Sequence, residues 1–349
     1  MKDLILSLKL YSLWLLLLLT FYLFGHIIFG NDSGISFYSL ANWDGRHFLD
    51  IAKFGYTNPI QYAFFPLYPL VVKCISMVTG LDYLSSGLTT NFLSTFGIIY
   101  IFTRLLKESK SKVKIIFFFL MFPTSFYLIS FYTESLFLLL VLLSFFCLKT
   151  KNYYLSALFA SLSSVTRVSG VAVITAVLFE IYLSKKSLKE KLASSILCIS
   201  GLMIYCIYLF YATGNPFYFI ISELDWDRSV TLPGLNIITA IHFLAIYGLK
   251  PESFTILSDI FFTVLGIGLA IRTWKYLPPS YSIYTFLSLY LPLATALILS
   301  MPRFVLVIFP LFIVLAEIKN KIFIIGYIII SLTLLFLYFN FFLRVIWVS

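Results

Sequence analysis

The chain has 349 residues, of which 61% are hydrophobic and only 11% charged, with a formal net charge of +10 and a mean hydropathy of +0.99. Soluble domains carry about 25% charged residues, so a water-facing surface cannot be covered here; a soluble enzyme is excluded and the apolar excess must meet lipid. Nor does the positive charge point to nucleic acid, because the basic residues fall in short clusters between apolar runs, the pattern of loops that obey the positive-inside rule.

In chain order, the first apolar run (8–29) is too long for the core of a signal peptide and reads as a retained span. Further candidate spans are 86–106, 115–131, 136–148, 153–166, 168–183, 192–212, 254–271, 280–299, 304–316 and 322–343. The expectation is an all-α polytopic membrane protein, a single integral domain over 1–349 with about eleven transmembrane helices. The segment 63–78 is apolar but holds Pro66, Pro69 and Lys73, and reads as re-entrant or interfacial. With that choice the lysines of 107–114 and 185–191 lie on the inner side. Every unusual polar cluster then faces the outer side: Trp43-Asp44-Gly45-Arg46-His47, Tyr132-Thr133-Glu134-Ser135, Arg167, Glu223 to Arg228, and Met301-Pro302-Arg303.

The first outer loop, 31–62, carries Phe48, Ile51, Ala52 and Gly55 at helical spacing, which predicts a helix lying flat at the membrane surface. Asp44 and His47 would flank that stripe at the water boundary. They are either catalytic or an interfacial anchor, with Trp43 in the aromatic belt and Asp44 as a helix N-terminal charge. Glu134 is a turn acid at a helix start or a functional carboxylate. Arg167 and Arg303 sit at the ends of apolar runs, where a charge needs water or a partner. Arginine suits phosphate through its planar fork of donors, but snorkelling, or pairing with Glu134 or Asp259, accounts for both equally well.

Cys74, Cys147, Cys198 and Cys206 lie in apolar stretches without a CxxC pair and read as small core residues; His26, His47 and His242 are too scattered for a histidine metal site. Glu223, Asp225 and Asp227 either face water or hold a divalent cation. No phosphate-binding loop, dinucleotide fingerprint or nucleophile elbow is present, which argues against a cytoplasmic nucleotide site.

Taken together these residues resemble a known family. Trp43-Asp44 leads through His47-Phe48-Leu49 and Ile51-Ala52 to Gly55-Tyr56, then Ala63-Phe64-Phe65-Pro66-Leu67-Tyr68-Pro69, Pro123-x-Ser125 and Tyr132-Thr133-Glu134-Ser135-Leu136-Phe137. Thr166-Arg167-x-x-Gly170, Gly214-Asn215-Pro216, Trp226-x-Arg228 and Pro302-Arg303-Phe304 follow, and Phe309-Pro310-Leu311-Phe312 closes the series. The pattern is similar to the PIG-V-type mannosyltransferases, membrane glycosyltransferases of GT-C architecture that include the enzyme adding the second mannose to GPI anchors, and in particular to their prokaryotic relatives. Two small departures are Asn215 where Asp is common and Phe304 where Tyr is common. The resemblance implies a GT-C-type bundle and inverting transfer of mannose from a polyprenyl- or dolichyl-phosphate carrier to a glycolipid or glycan acceptor on the outer face of a cell membrane. It implies Asp44 as general base, Arg167 and Arg303 stabilising the departing phosphate, and Arg46, His47, Glu134, Trp226 and Arg228 positioning sugar or carrier. The lipid-phosphate-linked sugar is the donor substrate, no metal ligand is assigned, and a divalent cation stays open at the acidic cluster.

Three other readings remain at this point: a different lipid-linked sugar donor, a transporter or flippase, and a non-catalytic membrane subunit. Charges at span ends and the lack of two related halves argue against transport. Acceptor, metal dependence, partner subunit and oligomeric state are not encoded legibly.

Overall fold

A computed structural model describes residues 1–30, 35–248 and 253–348; residues 31–34 of the loop expected on the outer side lie outside the described residues. Among the described residues the chain is all-helical, with sixteen α-helices, four 3-10 turns and no strand; one isolated antiparallel bridge joins Val230 to Thr295.

Helix α1 (Lys2–Phe29) leads through a 3-10 turn to α2 (Asp44–Phe54). Next come α3 (Leu67–Thr79) and α4 (Tyr83–Leu105), set at 109° to each other. That corner has a local cause: Gly80 takes the left-handed conformation that ends α3, and the Asp82 carboxylate accepts the Ser85 N–H that starts α4. Segment 63–78 thus ends in a helix lying across α4, the geometry of a broken span or a re-entrant segment.

The interior follows with α5 (Lys112–Leu120), α6 (Glu134–Lys149), α7 (Tyr153–Ser164) and α8 (Gly170–Leu183). The span expected over 115–131 stops at Leu120, because Pro123 cannot supply the N–H that the helix ladder needs. Residues 121–133 run as turns around a short 3-10 piece, although they are buried. Non-helical backbone at such depth must be satisfied by the protein itself. Polar residues on α4 do this: Thr95 Oγ1 donates to the Leu128 carbonyl at 2.7 Å, and Asn91 Nδ2 donates to the carbonyls of Tyr132, at 3.1 Å, and Ser130. Ser135 completes the set by donating to Asn91 Oδ1 at 3.0 Å.

The rest of the chain comprises α9 (Leu188–Thr213), α10 (Tyr218–Ser222), α11 (Leu235–Tyr247), α12 (Ser253–Tyr276), α13 (Pro279–Leu293), α14 (Met301–Val307), α15 (Pro310–Ala316) and α16 (Lys321–Leu343). The run expected over 280–299 ends at Leu293, and the one over 304–316 breaks at Pro310, which opens α15. The apolar helix α11 was not among the expected spans.

Four described helices, α1, α9, α12 and α16, are long and apolar enough to cross a membrane, or five spans if the bent α3–α4 pair counts as one. They expose rows of apolar side chains such as Leu16, Leu23, Ile196, Ile204, Ile325 and Ile329, a surface that lipid would cover. The other expected spans are helices of 7 to 16 residues. Sixteen residues of helix reach only about 24 Å, against ~30 Å for a hydrocarbon core. Helix length thus supports fewer full spans than the eleven that hydropathy suggests. Hydropathy marks how apolar a run is, whereas proline and buried polar groups decide where its helix ends.

Helix α2 also differs from its expected setting. Its stripe is buried inside the protein, with Phe48 packed edge-on to Phe64 and Tyr68 at 5.1 and 5.7 Å between ring centroids, and Ile51 and Ala52 buried beside it. The apolar face that would have rested on lipid head groups is satisfied by the protein core instead.

Asn91→Ala is expected to cost about 1–3 kcal/mol by stripping the buried Tyr132 carbonyl of the Asn91 amide and the Ser135 hydroxyl of its acceptor, while the Ser130 carbonyl keeps the Tyr132 N–H. Leu93→Ala, on the exposed face of the same helix, is expected to stay within ~0.5 kcal/mol. Thermal unfolding of the detergent-solubilised protein distinguishes the two.

Candidate active site

Asp44 opens α2 from a tightly held corner. Asn42 is buried and donates from Nδ2 to the Phe342 carbonyl at 2.9 Å, while its own carbonyl accepts the Tyr132 hydroxyl at 2.7 Å. Trp43 follows with φ +57°, a conformation costly for a bulky residue and characteristic of functional turns. Gly45 then lets the helix start press against the 131–132 backbone; a Cβ there would lie 3.1 Å from the Phe131 carbonyl oxygen and 3.2 Å from the Tyr132 ring. The N-terminus of α2 is thereby fixed beside the segment that leads into Glu134.

Two other breaks deliver the arginines. Between α7 and α8 the chain turns over Val165 to Ser169, and the Val165 carbonyl accepts the Leu67 N–H at 2.9 Å. This turn requires Gly170, because a Cβ would fall 2.4 Å from Ser164 Cα, a backbone atom that cannot give way. Ahead of α14, Ser300 adopts φ +62°, Asp259 Oδ1 accepts the Met301 N–H at 2.7 Å, and Thr124 Oγ1 donates to the Pro302 carbonyl at 3.0 Å. Asp259 therefore holds the backbone that carries Arg303 and does not pair with the guanidinium.

The charges form one chain. Arg303 Nη2 donates to Asp44 Oδ2 at 2.8 Å, Arg303 Nε lies 2.9 Å from Glu134 Oε1, and Arg167 Nη1 reaches the same Oε1 at 2.5 Å. Arg167 also donates to Thr133 Oγ1 at 3.0 Å. Glu134 has no solvent exposure, and its Oε2 has no hydrogen-bond partner among the described residues. Arg303 is enclosed by the Tyr127 and Tyr132 rings, 5.4 and 5.2 Å from the guanidinium. Burial works against the charge of Asp44, but the charge and hydrogen bond of Arg303, with smaller help from Arg228 and His47, outweigh it and hold the carboxyl below its usual range. Asp44 is accordingly an ionised carboxylate at neutral pH, with Oδ2 tied to Arg303.

An aromatic wall stands opposite. His47 stacks on Phe64 at 4.9 Å and meets Trp226 edge-on at 5.1 Å, and Trp226 Nε1 donates weakly to the Ile60 carbonyl at 3.5 Å. Arg167 and Arg228 both approach the Phe304 ring, at 5.6 and 6.0 Å. Arg228 lies 4.0 Å from Glu223, whose carboxyl is raised above its usual range, by burial first and by Asp44, against the pull of Arg228.

These groups surround a cavity of about 740 Å³. Of the residues singled out in the sequence, Asp44, Arg46, His47, Arg167, Trp226, Arg228 and Arg303 line it. Glu134 does not; it lies behind the wall, between the guanidiniums of Arg167 and Arg303. Ser169, Phe64, Leu299 and Trp347 also line the cavity and were not singled out as binding groups, and Glu223, read in the sequence as a water-facing or cation-holding acid, lines it too. Ser169 lies two residues after Arg167 and has a buried hydroxyl with no hydrogen-bond partner among the described residues. Trp347 meets Trp43 edge-on at 5.1 Å and carries no sequence signal beyond that of a membrane-belt residue. Among the described residues no group of three or more His, Cys, Asp or Glu is placed to hold a metal; Asp225 and Asp227 are exposed.

Comparison with known proteins adds one finding. A family model described as Mannosyltransferase (PIG-V) matches residues 25–223, a stretch that includes Asp44, Glu134 and Arg167 and stops short of Trp226, Arg228 and Arg303. No curated protein and no solved structure matches the chain.

Arg303→Gln strips two carboxylates of their shared partner and leaves Glu134 underpaired in the interior. It is expected to destabilise by about 3–5 kcal/mol. Arg46→Gln, at an exposed position, is expected to change stability by no more than ~0.5 kcal/mol. Thermal melts of the two variants beside the parent protein test this difference.

Proposed function

The chain belongs to the mannosyltransferase (PIG-V) family, and from that premise we propose that it moves mannose from a polyprenyl- or dolichyl-phosphate carrier to a glycolipid or glycan hydroxyl at the outer face of a cell membrane. The protein is a glycosyltransferase of membrane type; carrier, acceptor and sidedness are the proposed part. The observation that carries the reading is the meeting of the ionised Asp44 carboxylate, four arginines and an aromatic wall at a single cavity.

In this reading the acceptor hydroxyl enters beside Asp44. As its oxygen attacks C1 of the sugar, Asp44 takes the hydroxyl proton. The bond from C1 to the carrier phosphate breaks on the opposite side, so the anomeric centre inverts. Negative charge then grows on the phosphate, and Arg167 and Arg228, beside Phe304, stabilise it. Arg303 aims Asp44 and shares Glu134 with Arg167, so base and phosphate site are set by one buried acid. His47, Phe64 and Trp226 form a surface for the sugar ring, whose C–H face packs well on aromatics.

Sidedness is argued from the two ends of α6, which starts at Glu134 beside the cavity and ends at Lys149. Lys149 Nζ donates to the Leu105 carbonyl at the end of α4, and Lys112 pairs with Asp3 at 3.1 Å near the start of α1. The lysine-rich loops gather at the end of the bundle away from the cavity, and positive charge is retained on the cytoplasmic side. That supports a site on the outer face.

Three measurements test these statements. With purified protein, labelled polyprenyl-phosphate mannose and a lipid extract of the source cells, Asp44→Asn is expected to cut transfer by about 10²–10⁴-fold while the melting temperature holds; retained activity would move the base elsewhere. Transfer from a different lipid-linked sugar, with mannose inert, would keep the mechanism and change the donor. Because Arg303 holds the Asp44 carboxyl below its usual range against burial, Asp44 stays ionised as pH falls from 7 to 5, and a pH profile of kcat is expected to show no loss of the base in that window. A cysteine at Asn58 is expected to react with an impermeant thiol reagent in intact cells; protection there would overturn the outer-face site.

A further inference from the structure

The ion pairs around the cavity are of two kinds. Those joining Arg303 to Asp44, Arg303 to Glu134 and Arg167 to Glu134 are short, at 2.8, 2.9 and 2.5 Å, and Glu134 is wholly enclosed. Arg228 and Glu223 approach only to 4.0 Å, with 23% and 31% of their side chains exposed, and both line the cavity. Arg228 is thus the guanidinium whose partner exchanges most easily.

Its backbone, by contrast, is held. Asp227 sits in the left-handed conformation at φ +56°, and the turn is closed by the Arg228 N–H donating to the Glu223 carbonyl at 3.0 Å. The next residues are pinned across the chain: Ala296 N–H donates to the Ser229 carbonyl at 2.8 Å and Thr231 N–H to the Ala294 carbonyl at 2.9 Å. On the Glu223 side, Ser222 Oγ donates to the Pro59 carbonyl at 2.9 Å. A fixed backbone with a loosely paired guanidinium at a cavity wall is what an anion subsite looks like when an internal carboxylate occupies it.

We propose that Glu223 is a resident stand-in for the donor's phosphate: it occupies Arg228 in the empty site and yields it when the phosphodiester of the lipid-linked sugar enters. The inference rests on the donor class argued above and adds which arginine exchanges partners and what it leaves. Facing Glu223 are Arg228 on its own turn, Asp44 from α2, Arg167 from the α7–α8 break and Arg303 from α14, while His47 reaches the same wall through Trp226. Once the phosphate takes up the charge of Arg228, Glu223 is left with a phosphate and Asp44 as anionic neighbours. It takes one proton from water and returns it when the carrier departs; no covalent bond forms or breaks at Glu223. Burial already raises its carboxyl, which favours this exchange. Donor affinity therefore rises as pH falls, since a neutral Glu223 no longer competes.

The test is equilibrium binding of a short-chain prenyl-phosphate mannose to the whole chain in lipid nanodiscs, from about pH 5 to 8, where that phosphodiester keeps a constant charge. Glu223→Gln is expected to bind roughly two- to fivefold more tightly at neutral pH, with a flatter pH dependence than the parent; the difference between the two curves separates Glu223 from His47. Arg228→Gln is expected to weaken binding about tenfold. Weaker binding by Glu223→Gln, or an unchanged pH slope, would overturn the inference and leave the donor class standing. If neither prenyl-phosphate mannose nor prenyl phosphate binds the parent, both readings fall. Should Glu223→Gln not fold, calorimetry of the parent in two buffers of different ionisation enthalpy reads the same point: net proton uptake that persists in His47→Gln supports it, and zero uptake overturns it.

Discussion

A carboxylate with no access to water, Glu134, is the constraint on which the rest of the site depends. A buried charge is tolerated only when opposite charges meet it at close range, and here two do, both at the same oxygen. Each arginine arrives from a different break in the helical bundle, Arg167 from between α7 and α8 and Arg303 from the start of α14. Arg303 then extends the chain of charge outward to Asp44. One interior acid thereby fixes the relative positions of three elements far apart in the sequence, and it does so without reaching the cavity.

That arrangement explains why so much of the interior is broken helix. Continuous spans would place every backbone group in its own ladder and offer no irregular segment from which a side chain could be aimed. The segment 121–133, Val165 to Ser169 and 294–300 are the places where the ladder stops, and the first of these is supplied with hydrogen-bond partners by Asn91 and Thr95. Left-handed residues mark the same ring of loops: Trp43, Asp227 and Ser300 each carry positive φ next to a residue that faces the cavity. Backbone strain of this kind persists only where surrounding contacts over-determine it.

The charge content of the cavity is nearly balanced, which bears on how a lipid-linked phosphate would be received. Four arginines, at 46, 167, 228 and 303, share the region with Asp44, Asp50, Glu134 and Glu223. A site so balanced does not hold anions by net charge; it holds them by exchanging one partner for another. The tight pairs set geometry and the loose pair leaves capacity for a ligand, a division of labour that follows from distance and burial alone.

Much of this protein was legible in the sequence: its membrane class from hydropathy and scarce charge, its family from motifs in order, and a set of eight candidate site residues, seven of which the fold brings to one cavity. Those features are local, so a linear reading reaches them. Tertiary structure decided the rest. Only packing could show that the stripe of α2 buries against Phe64 and Tyr68, since an amphipathic period is the same whether its partner is lipid or protein. Only packing could separate full spans from short interior helices, because hydropathy does not register how Pro123 or Pro310 ends a helix. And the roles of Glu134 and Asp259 could not be told apart by type or position: one is clamped between two guanidiniums and the other holds a backbone N–H, a difference made by partners 33 to 169 residues away in the chain.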